Sequence, residues 1–431
     1  DLSVRLGEGE MQLRLAKQPF AMDLLGAYVK GSQSDRIQLE RFDVRLGSSR
    51  ASIQARADFL PDVLNATLLK RWPIDGLHGL RLEWAFRADA GELTQRVLPG
   101  LGRRLGEQAI AGLLQSDGSI SLDERTLDLT LRADADELIC RDAFGLAKTA
   151  RTPARLSLHL VAPRDLSRLE VSTTDPIVLG SAQLAGRLHA DVSRNSDGWP
   201  ICVQPRSSTA TLSVGDLSDL GALCLGAAQY KPTGRMLLTA DWSNEEGGVL
   251  RRFHLAADQA AGVYRGKPIA LDGHVTMKQV RFADGKLLAV GSLKTDDLAV
   301  VAGENHLWLI ADLRDAISRP TGMAHLLFDT LDVPALTAWL APPAPTSAPA
   351  APPMNEERRT VLEQQADAFL RSYLPLARQA DLLVRISGNR LVMPDDTVGQ
   401  SYDARFMESE IRLAGGALHW VYDVGLNGGE I

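Results

Sequence analysis

Residues Ile120–Arg132 read ISLDERTLDLTLR. Isoleucine and leucine occupy every second position on either side of the charged triplet Asp123-Glu124-Arg125. A side-chain period of two belongs to a strand with one apolar face and one wet face. The charged triplet falls where a hairpin needs its turn. The same alternation returns in Arg155–Leu160, RLSLHL, and over 184–192, 209–214, 275–280 and 418–424. Strands of a doubly wound α/β fold are covered on both faces and read as unbroken apolar runs, so this pattern indicates antiparallel sheet.

Gly118, Gly186, Gly234 and Gly273 each open an alternating run. Glycine relieves crowding or admits a bulge where a sheet twists strongly. Repeated units of this kind predict a mainly β fold: an elongated, strongly twisted antiparallel sheet extended strand by strand. Amphipathic helices are few. They are expected at about 61–72, opening on Pro61, at about 92–114, with an apolar stripe from Leu93 to Leu114, and over 354–374. Ala341–Pro353, APPAPTSAPAAPP, carries prolines at 342, 343, 345, 349, 352 and 353 and no charge. It reads as an extended linker, because proline cannot donate to a ladder. The expected organisation is a sheet region over 1–340 with inserted helices, the linker 341–353, and a helix with further sheet over 354–431.

Composition narrows the function. A chain of 431 residues has room for a sizeable core, and a formal charge of −7 argues against a nucleic-acid-binding surface. No stretch reaches the length of a membrane-spanning helix. The chain opens on Asp1 and closes on Gly428-Gly429-Glu430-Ile431, and both ends read as cuts through a continuing sheet. Cys140, Cys202 and Cys224 are odd in number, so at least one is unpaired within the chain; Cys202 and Cys224 are the pair considered.

The chemistry search returns little. None of the eight histidines stands in HExxH or beside a cysteine at zinc spacing, so no metal site or cofactor is expected. His159 and His419 fall on the polar faces of strands. No GxSxG elbow occurs. Gly262–Pro268, GVYRGKP, is one residue short of a phosphate loop and has Pro268 where Ser or Thr is required, so it reads as a turn. Asp296-Asp297 and Asp395-Asp396 are paired carboxylates, and they keep hydrolase activity as a minor alternative. The expectation is a protein without enzymatic activity.

From about Leu326 the chain resembles the AsmA-like family of bacterial envelope proteins. The resemblance runs in order through Phe328–Leu340 (FDTLDVPALTAWL), the proline-alanine linker, Ala380–Ile386 (ADLLVRI), Ser409–Leu418 (SEIRLAGGAL) and Gly425–Ile431 (GLNGGEI). Leu271–Val301 is similar in character. The longer helical stretch at 354–374 departs from the family's immediate return to strand. The resemblance implies a periplasmic protein anchored in the inner membrane by an N-terminal helix. Its sheet would form a taco-like groove that holds or conducts phospholipid between the inner and outer membranes in support of envelope integrity, with envelope proteins as further partners and no nucleic acid. The groove candidates set by alternation are Ile120, Leu122, Leu127, Leu129, Leu131, Leu156, Leu158, Leu160, Leu418, Trp420 and Tyr422. The alternatives for the same residues are a closed core and a structural scaffold or assembly factor.

Overall fold

A computed structural model describes residues 2–15, 18–30, 35–59, 77–92, 110–143, 146–194, 200–244, 248–283, 286–317, 319–340, 379–394, 401–415 and 417–426. The protein is mainly β, as the alternation predicts. It packs as two compact units: Asp1–Gln229 with Ser243–Glu245, and Tyr230–Trp242 with Glu246–Ile431. The division falls near residue 230, inside the region that the alternation groups as one sheet.

The first unit begins with long strands: β1 (Leu2–Leu15), β2 (Gln18–Lys30), β3 (Asp35–Leu46), β4 (Ser49–Phe59) and β5 (Leu77–Asp89). A single helical turn, α1 (Ala90–Glu92), precedes β6 (Ile110–Ala111), β7 (Leu113–Leu122) and β8 (Thr126–Asp134). Next come β9 (Ile139–Ala143), β10 (Leu146–Lys148), β11 (Ala154–Pro163), β12 (Arg168–Ser172) and β13 (Ile177–Leu179). Then follow β14 (Ala182–Arg194) and β15 (Pro200–Val214), and the unit ends on α2 (Leu217–Leu223) and α3 (Leu225–Ala228). The Asp216 carboxylate accepts from Ser218 N at 2.8 Å and so starts α2, a helix the alternation gives no sign of.

Chain neighbours pair antiparallel from β1 through β5, then β5–β7, β7–β8 and β8–β11. β11 is followed by both β12 and β13, which pair with β14, and β14 pairs with β15. Strands β6, β9 and β10 form a small separate sheet. Its buried centre is Cys140, packed by Ile110, Leu138 and Leu146. Lys148, only 4% exposed, closes this sheet: its Nζ donates to the carbonyls of Asp136 (2.8 Å), Leu138 (2.7 Å) and Thr149 (3.3 Å). Burial lowers the Lys148 pKa and raises that of the Cys140 thiol.

The structure corrects part of the helix expected at 92–114. Residues 93–109 lie outside the described residues, but Ile110–Ala111 and Leu113–Leu122 are strands with Gly112 as a bend between them. Gly112 has φ of +91°, and a Cβ there would stand 2.2 Å from the Glu137 carbonyl oxygen. That backbone cannot continue a helix. Leu114 instead begins the alternation that runs on through Ile120. The helices expected at 61–72 and 354–374, and the linker 341–353, lie outside the described residues.

The second unit contains β16 (Thr233–Ser243), β17 (Val249–Tyr264), β18 (Lys267–Ala283), β19 (Lys286–Ala302), β20 (Asn305–Arg314) and β21 (Thr321–Asp332). Helix α4 (Val333–Leu340) follows, then β22 (Asp381–Pro394), β23 (Ser401–Ala414) and β24 (Ala417–Leu426). The Asp332 carboxylate caps α4 by accepting from Ala335 N at 2.8 Å. Pairing is antiparallel from β17 through β21 and from β22 through β24. The step from β21 to β22 is parallel, with Thr321 opposite Asp381 and Asp332 opposite Val392. Gly262–Pro268 makes the β17–β18 turn, with Arg265 and Gly266 both at positive φ as in a tight hairpin.

Candidate functional site

Register decides what the alternation in each strand amounts to. In an antiparallel pair, residues directly opposite each other share a face. Ile120 stands opposite Leu82 on one side and Leu129 on the other, and Leu129 stands opposite Leu160. Leu160 faces Val171, which faces Leu188. A second row runs Ile53, Trp84, Gly118, Leu131, Leu158. A third runs Ala57, Leu80, Leu122, Leu127, Ala162. Leu156 lies opposite Ala133. The apolar sides of β4, β5, β7, β8, β11, β12 and β14 are therefore in phase, and Ile37, Leu39, Phe42 and Val44 extend the same face onto β3.

Eight of the predicted groove residues, Ile120, Leu122, Leu127, Leu129, Leu131, Leu156, Leu158 and Leu160, share this face on adjacent strands. Leu122 is buried, and the other seven are half-buried. Trp84, Phe86, Leu82 and Leu80 are half-buried too. Among the described residues no second layer seals these side chains, whereas the inner face of a sandwich would be fully buried. Trp84 lies across Gly118: a Cβ on Gly118 would meet the indole Cζ2 at 2.2 Å. Glycine at 118 is thus the residue that lets the largest side chain of the face lie flat.

The remaining three candidates belong to the second unit. Trp420 stands opposite Ile411, is 59% exposed, and donates from Nε1 to the Ser409 hydroxyl at 2.8 Å. The side chains of Leu418 and Tyr422 lie outside the described ones, although both residues are on β24. In this unit Leu309, Leu326 and Ile386 make one row, and Leu307, Phe328 and Gly388 another. Phe328 is buried against Gly388, whose added Cβ would meet the ring at 2.1 Å.

The opposite face of the first unit is polar and ion-paired. Arg36 pairs with Asp58 at 2.5 Å, His159 with Asp128 at 2.8 Å, Arg187 with Glu170 at 3.1 Å, and Arg206 with Asp191 at 2.5 Å. His159 therefore occupies the polar face, as its place among leucines predicts. Two cavities lie on this side. One of about 550 Å³ is lined by Gln54, Glu83, Asp117, Ser119, Thr130 and Arg132. Another of about 630 Å³ is lined by Asp117, Arg132, Asp134, Arg155, Ser157 and Gln183. Alternation alone does not show these cavities, because they arise between polar side chains on neighbouring strands.

No family model, curated protein or solved structure matches the chain.

Of the paired carboxylates that suggest hydrolysis, Asp296-Asp297 is engaged in ion pairs. His274 Nδ1 lies 2.9 Å from Asp297 Oδ1, and Lys294 pairs with Asp296 at 3.7 Å. These partly exposed ion pairs lie on β18 and β19. Asp395-Asp396 lies outside the described residues. Among the described residues no group of His, Cys, Asp or Glu is placed to hold a metal ion, and no helix is long and apolar enough to cross a membrane. All three cysteines are free: Cys202 is exposed and Cys224 is half-buried, so the pair considered is not formed.

Proposed function

We propose that the protein is a non-enzymatic lipid-holding component of the bacterial envelope, periplasmic and inner-membrane-anchored, whose apolar sheet face takes the acyl chains of phospholipid. The observation that carries this reading is the phase-locked apolar face running across β3, β4, β5, β7, β8, β11, β12 and β14, whose side chains are half-buried rather than sealed. Each methylene moved from water onto such a surface gains up to about 0.8 kcal/mol. The face is built from adjacent rows of similar side chains, so an acyl chain can slide along it with no covalent step. The AsmA-like resemblance of the C-terminal segments points in the same direction.

The test is native mass spectrometry of the protein purified without detergent, followed by organic extraction. Stoichiometric phospholipid is expected, and it should be lost in a folded Leu129→Asp, Leu131→Asp variant. A chain that stays lipid-free after exposure to phospholipid vesicles removes this reading. The same half-buried apolar face also suits a second reading, in which it is covered by another envelope protein and the molecule is a scaffold. In that case the same experiment returns a protein complex in place of lipid.

A further inference from the structure

Arginines on the polar face of the first unit generally stand beside a carboxylate. Arg36 and Arg56 share Asp58, Arg41 pairs with Asp23, Arg81 with Glu83, and Arg155 with Asp136. Arg45, Arg50 and Arg87 break this rule. Register places Arg45 directly opposite Arg50, and Arg50 directly opposite Arg87. They form a row across β3, β4 and β5, all three exposed, and none is in an ion pair among the described residues. Like charges directly opposed across strands work against the ladder that carries them. Sequence inspection does not find this row, because its members are far apart in the chain.

The row borders a cavity of about 360 Å³ that is also lined by Asp43, Ser52, Gln115 and Asp117. Asp117 is opposed in register by Arg132, and Asp43 stands two residues from Arg45 on the same strand. The lining therefore keeps an excess of positive charge. Neighbouring strands lie about 4.8 Å apart, so a row of this kind spans about 10 Å. Guanidinium forks match the geometry of phosphoryl oxygens and bind them in pairs.

We infer that Arg45, Arg50 and Arg87 form a binding site for a ligand carrying two neighbouring phosphoryl groups, one between each pair of arginines. The site is on the face opposite the proposed lipid surface and stands independently of that reading. A bound dianion removes the repulsion along the row, so binding and stability are coupled. Two sources share this chemistry: a soluble diphosphate and a phosphorylated lipid headgroup.

The experiment uses the whole chain at low salt. Inorganic pyrophosphate is titrated by calorimetry, and flotation is measured with vesicles of anionic phospholipid and of phosphatidylcholine alone. Arg50→Gln and Arg87→Gln are compared with Arg81→Gln, whose arginine already has Glu83 as partner. Pyrophosphate binding that weakens at least tenfold in Arg50→Gln and Arg87→Gln, with Arg81→Gln unchanged, establishes the site with a soluble ligand. Binding to anionic vesicles only, lost in the same two variants, establishes it with a headgroup. Without ligand, Arg50→Gln should raise Tm, because it removes the central charge of the row. Absence of both binding modes, or binding that both row variants retain, overturns the proposal.

Discussion

At the residue scale, both units are shaped by aromatic rings lying on glycines. Trp84 covers Gly118 and Phe328 covers Gly388, each pair directly opposed in register. Phe328 faces its glycine across the parallel step, and its ring is nearly wholly buried. A side chain at 388 must displace that ring, and overpacking of this kind costs about 1–3 kcal/mol. Gly388→Val is therefore expected to lower stability in urea by that amount. Phe328→Ala in the same chain should recover part of the loss, since it vacates the space; a cycle with no coupling between the two positions counts against the ring-on-glycine account. Sequence inspection marks Gly118 as a point of crowding but does not name Trp84 as its cause. Residues 84 and 118 meet through register, which single-strand periodicity leaves open.

At the scale of the element, the β7–β8 hairpin is the clearest case of structure legible in sequence. Its strands and its charged turn follow from ISLDERTLDLTLR alone. The turn is fastened by Asp123, whose Oδ1 accepts from Arg125 N and Thr126 N, both at 2.7 Å. Those bonds, the Arg125 N–H first, hold its carboxyl below the ordinary value of 3.8. A carboxyl depressed in the folded state contributes stability above its unfolded pKa, and that contribution is lost as pH falls through the folded value. Asp123→Ala is thus expected to lower stability at neutral pH and to flatten the fall below about pH 4. Denaturant melts from pH 7 to 3 check this, and parallel curves for the two proteins would contradict it. Helices were less legible. The leucines of 110–114 fit both a helical stripe and the start of a strand, and Gly112 settles the choice through a backbone conformation that composition does not display. Helix α2 depends on one cap at Asp216, a signal short enough to be lost among strands.

Across the whole molecule, the sheet's class was readable, whereas its division and its parallel step were not. Alternation reports which residues share a face within a strand and is silent on where packing divides near residue 230. The candidate face was legible to the same extent: eight leucines and isoleucines share one surface, while Leu418, Trp420 and Tyr422 belong to the second unit. The division gives a prediction in calorimetry. Gly118→Val should shift the melting of the first unit, and Gly388→Val that of the second, each leaving the other transition in place. A single transition moved by both variants would mean that the two units melt as one.

The parallel step from β21 to β22 also sets an order in time. Elsewhere in the second unit each strand from β18 to β21 needs only a short turn before it can pair with its predecessor, so these strands can zip up in order as the chain emerges. Growth must pause at β21. Its free edge waits while 333–380 emerges, because only after that stretch does Asp381 arrive opposite Thr321. During that interval β21 offers unpaired backbone groups to any passing strand. The interval after Asp332 is thus one in which the second unit carries an open edge that a chaperone could cover.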